Sequence, residues 1–126
     1  MIDVHWSYWD KESTVRWNFN DLMYIQQFSY PPIAVSVLTN SRIIAISCHF
    51  EEFGSNNLNL FTFDGTLIRS LSAPAVGDKV TFGALTETSN DRIQAQVCYY
   101  ERSVFKEQLC YIELDSGECS GFSRGY

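Results

Sequence analysis

The residues best equipped for chemistry are two histidines, four cysteines and the carboxylates. The histidines, His5 and His49, stand in neither H-x-H nor H-E-x-x-H spacing, so no paired-imidazole zinc motif is present. The cysteines, Cys48, Cys98, Cys110 and Cys119, contain no C-x-x-C pair, which argues against a zinc site. Cys48 directly precedes His49, and a thiol beside an imidazole invites the reading of an activated nucleophile. Adjacent residues on a strand project to opposite faces, so this pair is expected to diverge. No G-x-S-x-G, P-loop or G-x-G-x-x-G pattern occurs, and no carboxylate pair stands in a glycosidase-like context. Asp64 and Asp115 fall in turn sequences, where Asp suits the backbone without any chemical role. The expectation is a chain that is not an enzyme and that carries no catalytic residues, metal or cofactor.

The elements that position these residues repeat. Arg42-Ile43-Ile44-Ala45-Ile46-Ser47-Cys48-His49-Phe50-Glu51 matches Arg92-Ile93-Gln94-Ala95-Gln96-Val97-Cys98-Tyr99-Tyr100-Glu101 at a constant offset of 50. Val37-Leu38-Thr39 precedes the first copy as Ala84-Leu85-Thr86 precedes the second. Leu60 to Gly65 follows the first as Tyr111 to Gly117 follows the second. A fixed period of this size indicates a repeat architecture. Each copy reads as four strands, near 33–39, 42–50, 57–63 and 66–72, then near 80–87, 91–101, 107–114 and 118–123. Ile93, Ala95, Val97 and Tyr99 alternate with Gln94, Gln96 and Cys98, as on a half-buried strand. Ile43 to Ile46 is apolar on both faces and is expected to lie centrally. Asn40-Ser41, Ser89-Asn90-Asp91, Asp64-Gly65 and Asp115-Ser116-Gly117 supply the turns. Val4 to Trp9 and Thr14 to Phe19 read as a hairpin that aligns with the last two strands of each copy. Asn20 reads as the cap of a short helix through Phe28, halted by Pro31-Pro32.

The expected fold class is all-β and antiparallel: two four-stranded repeats, an N-terminal hairpin and one short helix near 21–28. The chain of 126 residues suits one domain, 1–126, with a hairpin or half unit at 1–19, repeat one at 33–74 and repeat two at 80–126.

Cys110-Tyr111-Ile112-Glu113-Leu114-Asp115-Ser116-Gly117-Glu118-Cys119 resembles the hairpin between the third and fourth strands of a WD40-type β-propeller blade. Leu114-Asp115 and Phe63-Asp64 stand where that family has Trp-Asp, and the family's Gly-His opening is missing. The resemblance spans roughly 33–126, against a blade period of about 40–45 residues. It implies four-stranded antiparallel units and not a closed ring, since two and a half blades fall short of a propeller. In a blade, the loops after the second strands emerge on one rim. Glu51, Glu52 and Phe53, then Glu101, Phe105 and Glu107, would form an acidic rim with aromatic anchors, suited to a basic partner. Trp6, Tyr8, Trp9 and Trp17 on the N-terminal hairpin are a second candidate surface, with Trp6 and Trp9 as its contact residues. Four aromatics there exceed what one face can bury. The competing reading of both groups is ordinary core packing and solvated loops.

Net charge is −6, which disfavours nucleic acid and anionic membrane as direct partners. Met1-Ile2-Asp3-Val4-His5-Trp6 lacks a basic start, a long apolar run and a cleavage site, and no stretch is long enough to span a bilayer. The cytoplasm is the expected location and four free thiols the expected cysteine state, although Cys110 and Cys119 could approach across a hairpin. In size, charge and lack of recognisable chemistry the chain resembles immunity proteins of bacterial toxin systems, which implies a basic toxin domain, such as a nuclease, as partner. The alternatives are a self-assembling scaffold subunit that associates through exposed strand edges, and a small enzyme using Cys48, His49 or a carboxylate.

Overall fold

A computed structural model describes residues 2–88 and 93–124. The chain is all-β, as expected, in three antiparallel sheets. The first sheet is β1 (Asp3–His5), β2 (Thr14–Phe19) and β3 (Leu22–Gln27). The middle sheet is β4 (Ala34–Leu38), β5 (Ile43–Ser47), β6 (Leu58–Thr62) and β7 (Leu67–Leu71). The last is β8 (Asp78–Glu87), β9 (Ile93–Glu101), β10 (Val104–Ile112) and β11 (Cys119–Arg124). Each is a meander in sequence order, and one short helix, α1 (Phe50–Phe53), interrupts the β5–β6 connection. Repeated four-stranded antiparallel sheets of this kind are compatible with blade-like units. The turn at Ser89-Asn90-Asp91, Arg92 of the sequence match, and residues 125–126 lie outside the described residues.

Two apolar clusters stack the sheets. Val15 and Trp17 of the first sheet meet Ile44, Ile46, Phe61 and Phe63 of the middle one. On the opposite side, Leu38, Ala45, Leu58, Leu60 and Leu71 meet Phe82, Leu85, Ile93, Ala95, Val97, Cys110 and Ile112 of the last sheet. The middle sheet is therefore covered on both faces. That is why Ile43 to Ile46 shows no polar alternation. Each large apolar side chain so buried contributes about 1.5–3 kcal/mol.

Polar groups fix how the middle and last sheets meet. Asn57 is fully buried. Its Nδ2 donates to the carbonyls of Cys48 and Phe82, and its Oδ1 accepts from the Phe82 N–H, all at 2.9 Å. The Ser47 hydroxyl donates to the Gly83 carbonyl, and the Leu85 N–H donates to Ser36 Oγ at 3.0 Å. The Glu87 carboxylate accepts from the N–H groups of Asn40 and Ser41. β4 and β8 consequently run alongside one another in the same sense.

Three expectations are corrected. The segment expected to be helical near 21–28 is strand β3, paired with β2 from Phe19↔Leu22 to Thr14↔Gln27. Asn20 and Asp21 both take positive φ, 52° and 63°, so they form a tight hairpin turn where the sequence suggested a helix cap. The N-terminal unit is a three-stranded sheet in place of a hairpin, because β3 adds to the β1–β2 pair; β1 covers only Asp3–His5, and Trp6 to Ser13 forms a loop.

The third correction concerns the repeat. Ala45 packs toward the last sheet, whereas Ala95, its match at offset 50, packs back toward the middle one. Pairing register gives the working equivalence. Ile44 lies opposite Phe61, and Ile93 lies opposite Ile112. Each pair faces the preceding sheet, so Ile44 corresponds to Ile93 and Phe61 to Ile112. The third-strand match (Leu60 to Gly65 with Tyr111 to Gly117) is in phase, and the second-strand match is one residue out. A slip of one residue reverses every side chain on a strand. Cys48 accordingly packs against the first sheet, while Cys98 lies on the outer face of the last sheet, opposite Glu107. The two cysteines share a letter pattern and no structural place.

Candidate functional site

The connections after β1, β5 and β9 emerge at one end of the stack and converge on a groove of about 780 Å³. Tyr8, Trp9 and Lys11 come from the β1–β2 loop, His49 and Phe50 from the β5–β6 connection, and Tyr99, Tyr100 and Phe105 from beside the β9–β10 turn. Pro31, Pro32 and Ile33, ahead of β4, Lys79 and Thr81 of β8, and Cys98 of β9 complete the lining.

Local sequence explains the presentation of each aromatic. Arg102 and Ser103 take positive φ, 51° and 65°, and close β9 onto β10 in a two-residue turn. That turn sets Tyr100 opposite Phe105, with rings edge to face at 5.5 Å. In the β1–β2 loop, the Lys11 N–H donates to the Tyr8 carbonyl and the Trp6 indole N–H donates to the Glu12 carbonyl at 2.9 Å. Trp6 is thereby turned into the core cluster and Trp9 is turned out, where it is 88% exposed. The Trp9 ring rests edge-on against Tyr8 at 5.7 Å. His49 caps α1, its Nδ1 accepting from the Glu51 N–H at 3.0 Å, and its ring stacks on Tyr30 at 5.1 Å.

Of the residues singled out in the sequence, Tyr8, Trp9, His49, Cys98 and Phe105 line this groove. Glu51 is exposed next to Phe50, and Glu101 is exposed next to Tyr100. Glu107 lies one step away on the outer face of β10. Glu52 has a structural task, because its carboxylate accepts from the N–H groups of Ser29 and Tyr30 at 3.0 Å and pins the β3–β4 connection to α1. Phe53 packs on Phe28 in the core between the first and middle sheets, and Phe50 takes the groove position in its place. Trp6 is half-buried and Trp17 fully buried. Sequence reasoning missed Phe50, Tyr100 and the two lysines. The usable signal for Phe50 was His49 followed by Glu51-Glu52, a capping residue with acids in a first helical turn.

Charge is mixed here. Lys11 and Lys79 line the groove, while exposed Asp10, Glu51, Asp78 and Glu101 neighbour its lining residues in sequence. Among the described residues the only ion pair is His5–Asp3, so these groups present their charge to solvent.

Three of the four thiols, Cys48, Cys98 and Cys110, are held protonated. Cys48 is fully buried and accepts from Asn59 Nδ2 at 3.1 Å, and burial pushes its pKa up to about 12. His49, placed beyond the end of β5 as the cap of α1, stacks its ring on Tyr30 at the groove while Cys48 points into the core, so the two side chains diverge. Burial, with the Glu107 charge, raises Cys98 to about 11. All four cysteines are free thiols. Cys110 and Cys119 touch across the β10–β11 hairpin, where the Cys110 thiol donates to Cys119 and is held protonated while Cys119 is lowered. Among the described residues, no three His, Cys, Asp or Glu side chains converge to hold a metal ion, and no helix is long and apolar enough to cross a membrane.

Comparison with protein-family models, with curated protein sequences and with solved structures finds no match.

Proposed function

We propose that this chain is a non-catalytic protein-binding module whose aromatic groove takes up part of a basic partner protein. The observation that carries the reading is the gathering of Tyr8, Trp9, Tyr100 and Phe105, each more than 40% exposed, around one concavity. Large rings left in water at one place cost solvation that a partner would recover, and aromatic side chains dominate interface energetics. The exposed carboxylates beside the groove and the net charge of −6 favour a positively charged partner through faster encounter. Lys11 and Lys79 give the groove its own requirement: the segment that enters brings an acceptor, a carboxylate or a carbonyl, within an otherwise basic surface.

Size, acidity and a binding groove together fit an immunity protein that neutralises a basic toxin domain in the cytoplasm, built on WD40-like blade units. The test is affinity recovery of partners from the native host at low and high salt, followed by co-expression with the recovered protein. The expected result is a basic partner that elutes with salt and whose toxicity the chain suppresses. Recovery of no basic partner, or of one whose toxicity is unaffected, would contradict the reading.

A further inference from the structure

We propose that Cys110 and Cys119 are a redox-active pair, oxidised reversibly to a disulfide by a low-molecular-weight disulfide, with Cys119 as the attacking thiol. Strand register places the two together. Ile112 lies opposite Cys119 across β10 and β11, and Cys110 stands two residues before Ile112, so all three share one face. That face is turned to the middle sheet. Cys110 and Ile112 belong to the core cluster there, and Cys119 packs against it. The two side chains meet on the diagonal, where the Cys110 thiol donates to Cys119. When protonated, Cys119 turns its own S–H to the Gly117 carbonyl at 3.8 Å. The other two thiols have different company: Cys48 meets Asn59, and Cys98 lies opposite Glu107 and Thr81.

The local backbone lets the pair close. Leu109↔Ser123 gives way to Tyr111↔Ser120, so Gly121 and Phe122 stand where β10 has Cys110 alone. Such a bulge bends its strand and re-aims side chains. β11 is also the edge of its sheet, held on one side only. A disulfide needs Cβ atoms about 4 Å apart, against about 7 Å for ordinary diagonal neighbours. An edge strand with a bulge is able to make that shift. A bond that draws the strand out of its relaxed place is readily reduced, as reversible disulfides are.

Exposure divides the roles. Cys119 is half-buried and Cys110 is buried, so a reagent meets Cys119 first. The hydrogen bond from Cys110 also favours the Cys119 thiolate, while it keeps Cys110 protonated. The thiolate attacks one sulfur of the reagent and its S–S bond breaks, giving a mixed disulfide on Cys119 and one free reagent thiolate, which takes up a proton. Cys110 then loses its proton and attacks the Cys119 sulfur, and the second reagent thiol leaves. In sum, two protein thiols lose two electrons and two protons, and one reagent disulfide becomes two thiols. Cys110 stands five residues beyond Phe105 along β10, roughly 16 Å from that end of the groove, so the reaction needs no groove partner.

The test is equilibration of the native protein in glutathione buffers from fully reduced to fully oxidised, followed by acid quenching, alkylation of the unfolded chain and peptide mapping of all four cysteines. Cys110 and Cys119 are expected to lose alkylation together and to appear joined in one disulfide, which dithiothreitol reverses. Cys48 and Cys98 stay alkylated. Cys110→Ser is expected to stop at a glutathione adduct on Cys119, and Cys119→Ser to stay reduced. Limited iodoacetamide treatment of the reduced wild type, which needs no variant to fold, is expected to label Cys119 before Cys110. A wild type that keeps both thiols in fully oxidised buffer would overturn the proposal. So would a stable glutathione adduct with no internal disulfide, or labelling of Cys110 as fast as Cys119.

Discussion

Trp17 is fully buried between the first and middle sheets, and its indole N–H donates to the Phe63 carbonyl at 2.8 Å. It stacks on Tyr24 at 6.2 Å and packs on Phe61, so one side chain joins β2, β3 and β6. Trp9, on the same N-terminal unit, does the opposite and stands in solvent. The sequence shows that four aromatics there are too many for one face. It does not show which turn outward, because that depends on the Trp6–Glu12 hydrogen bond closing the loop. The divergence of Cys48 and His49 is expected from strand alternation, but β5 ends at Ser47 and it is the helix-capping role of His49 that separates them. Cys48 also sets a pH dependence. Its thiol is neutral in the fold with a pKa near 12, against an ordinary value of 9.0. Between those values the unfolded chain has lost the proton and the folded one keeps it, so stability falls as pH rises through that window. Urea unfolding at pH 8 and pH 11 is expected to show a smaller loss for Cys48→Ala than for the wild type, even though the variant is weaker at pH 8. Equal losses would show that this thiol does not set the dependence.

The strands of both four-stranded sheets fall close to where alternation and turn chemistry place them, because half-buried strands write their faces into the sequence. β3 was not legible. Met23 and Ile25 are exposed apolar residues on a sheet face, and this blurs the alternation that Tyr24 and Gln26 would otherwise reveal. The phase of the second repeat strand was hidden for a related reason: matching letters are silent about which face they occupy. Gly65 shows how one turn admits its neighbour. It adopts φ 84°, and an added Cβ would come within 2.9 Å of the Tyr24 ring. Asn57 holds the middle and last sheets by three hydrogen bonds to backbone. Asn57→Ala leaves the Phe82 N–H and two carbonyls buried without these partners. That is expected to cost about 3 kcal/mol of unfolding free energy. Chemical denaturation measures it, and a loss below about 1 kcal/mol, the worth of one ordinary hydrogen bond, would mean that Asn57 is not what holds the two sheets together.

At the scale of the whole molecule, the stack has a covered middle and a working end. The connections after β1, β5 and β9 come from three sheets, yet they share one end because the three meanders run in the same sense. That convergence turns separate aromatic residues into a single groove. The expectation that loops after the second strands share a rim anticipated it, and assigned the anchors only in part, Phe53 being in the core and Phe50 in the groove. The central claim is that this groove captures a protein partner through its exposed aromatics. Calorimetric titration of the captured partner against the wild type, a Trp9→Ala, Phe105→Ala double variant and a Leu67→Ala control tests it most directly. Leu67 is 53% exposed on β7 and does not line the groove. The double variant is expected to bind at least about 30-fold more weakly, corresponding to roughly 2 kcal/mol for anchor residues, with the control unchanged. Equal affinity for the wild type and the double variant would contradict the account.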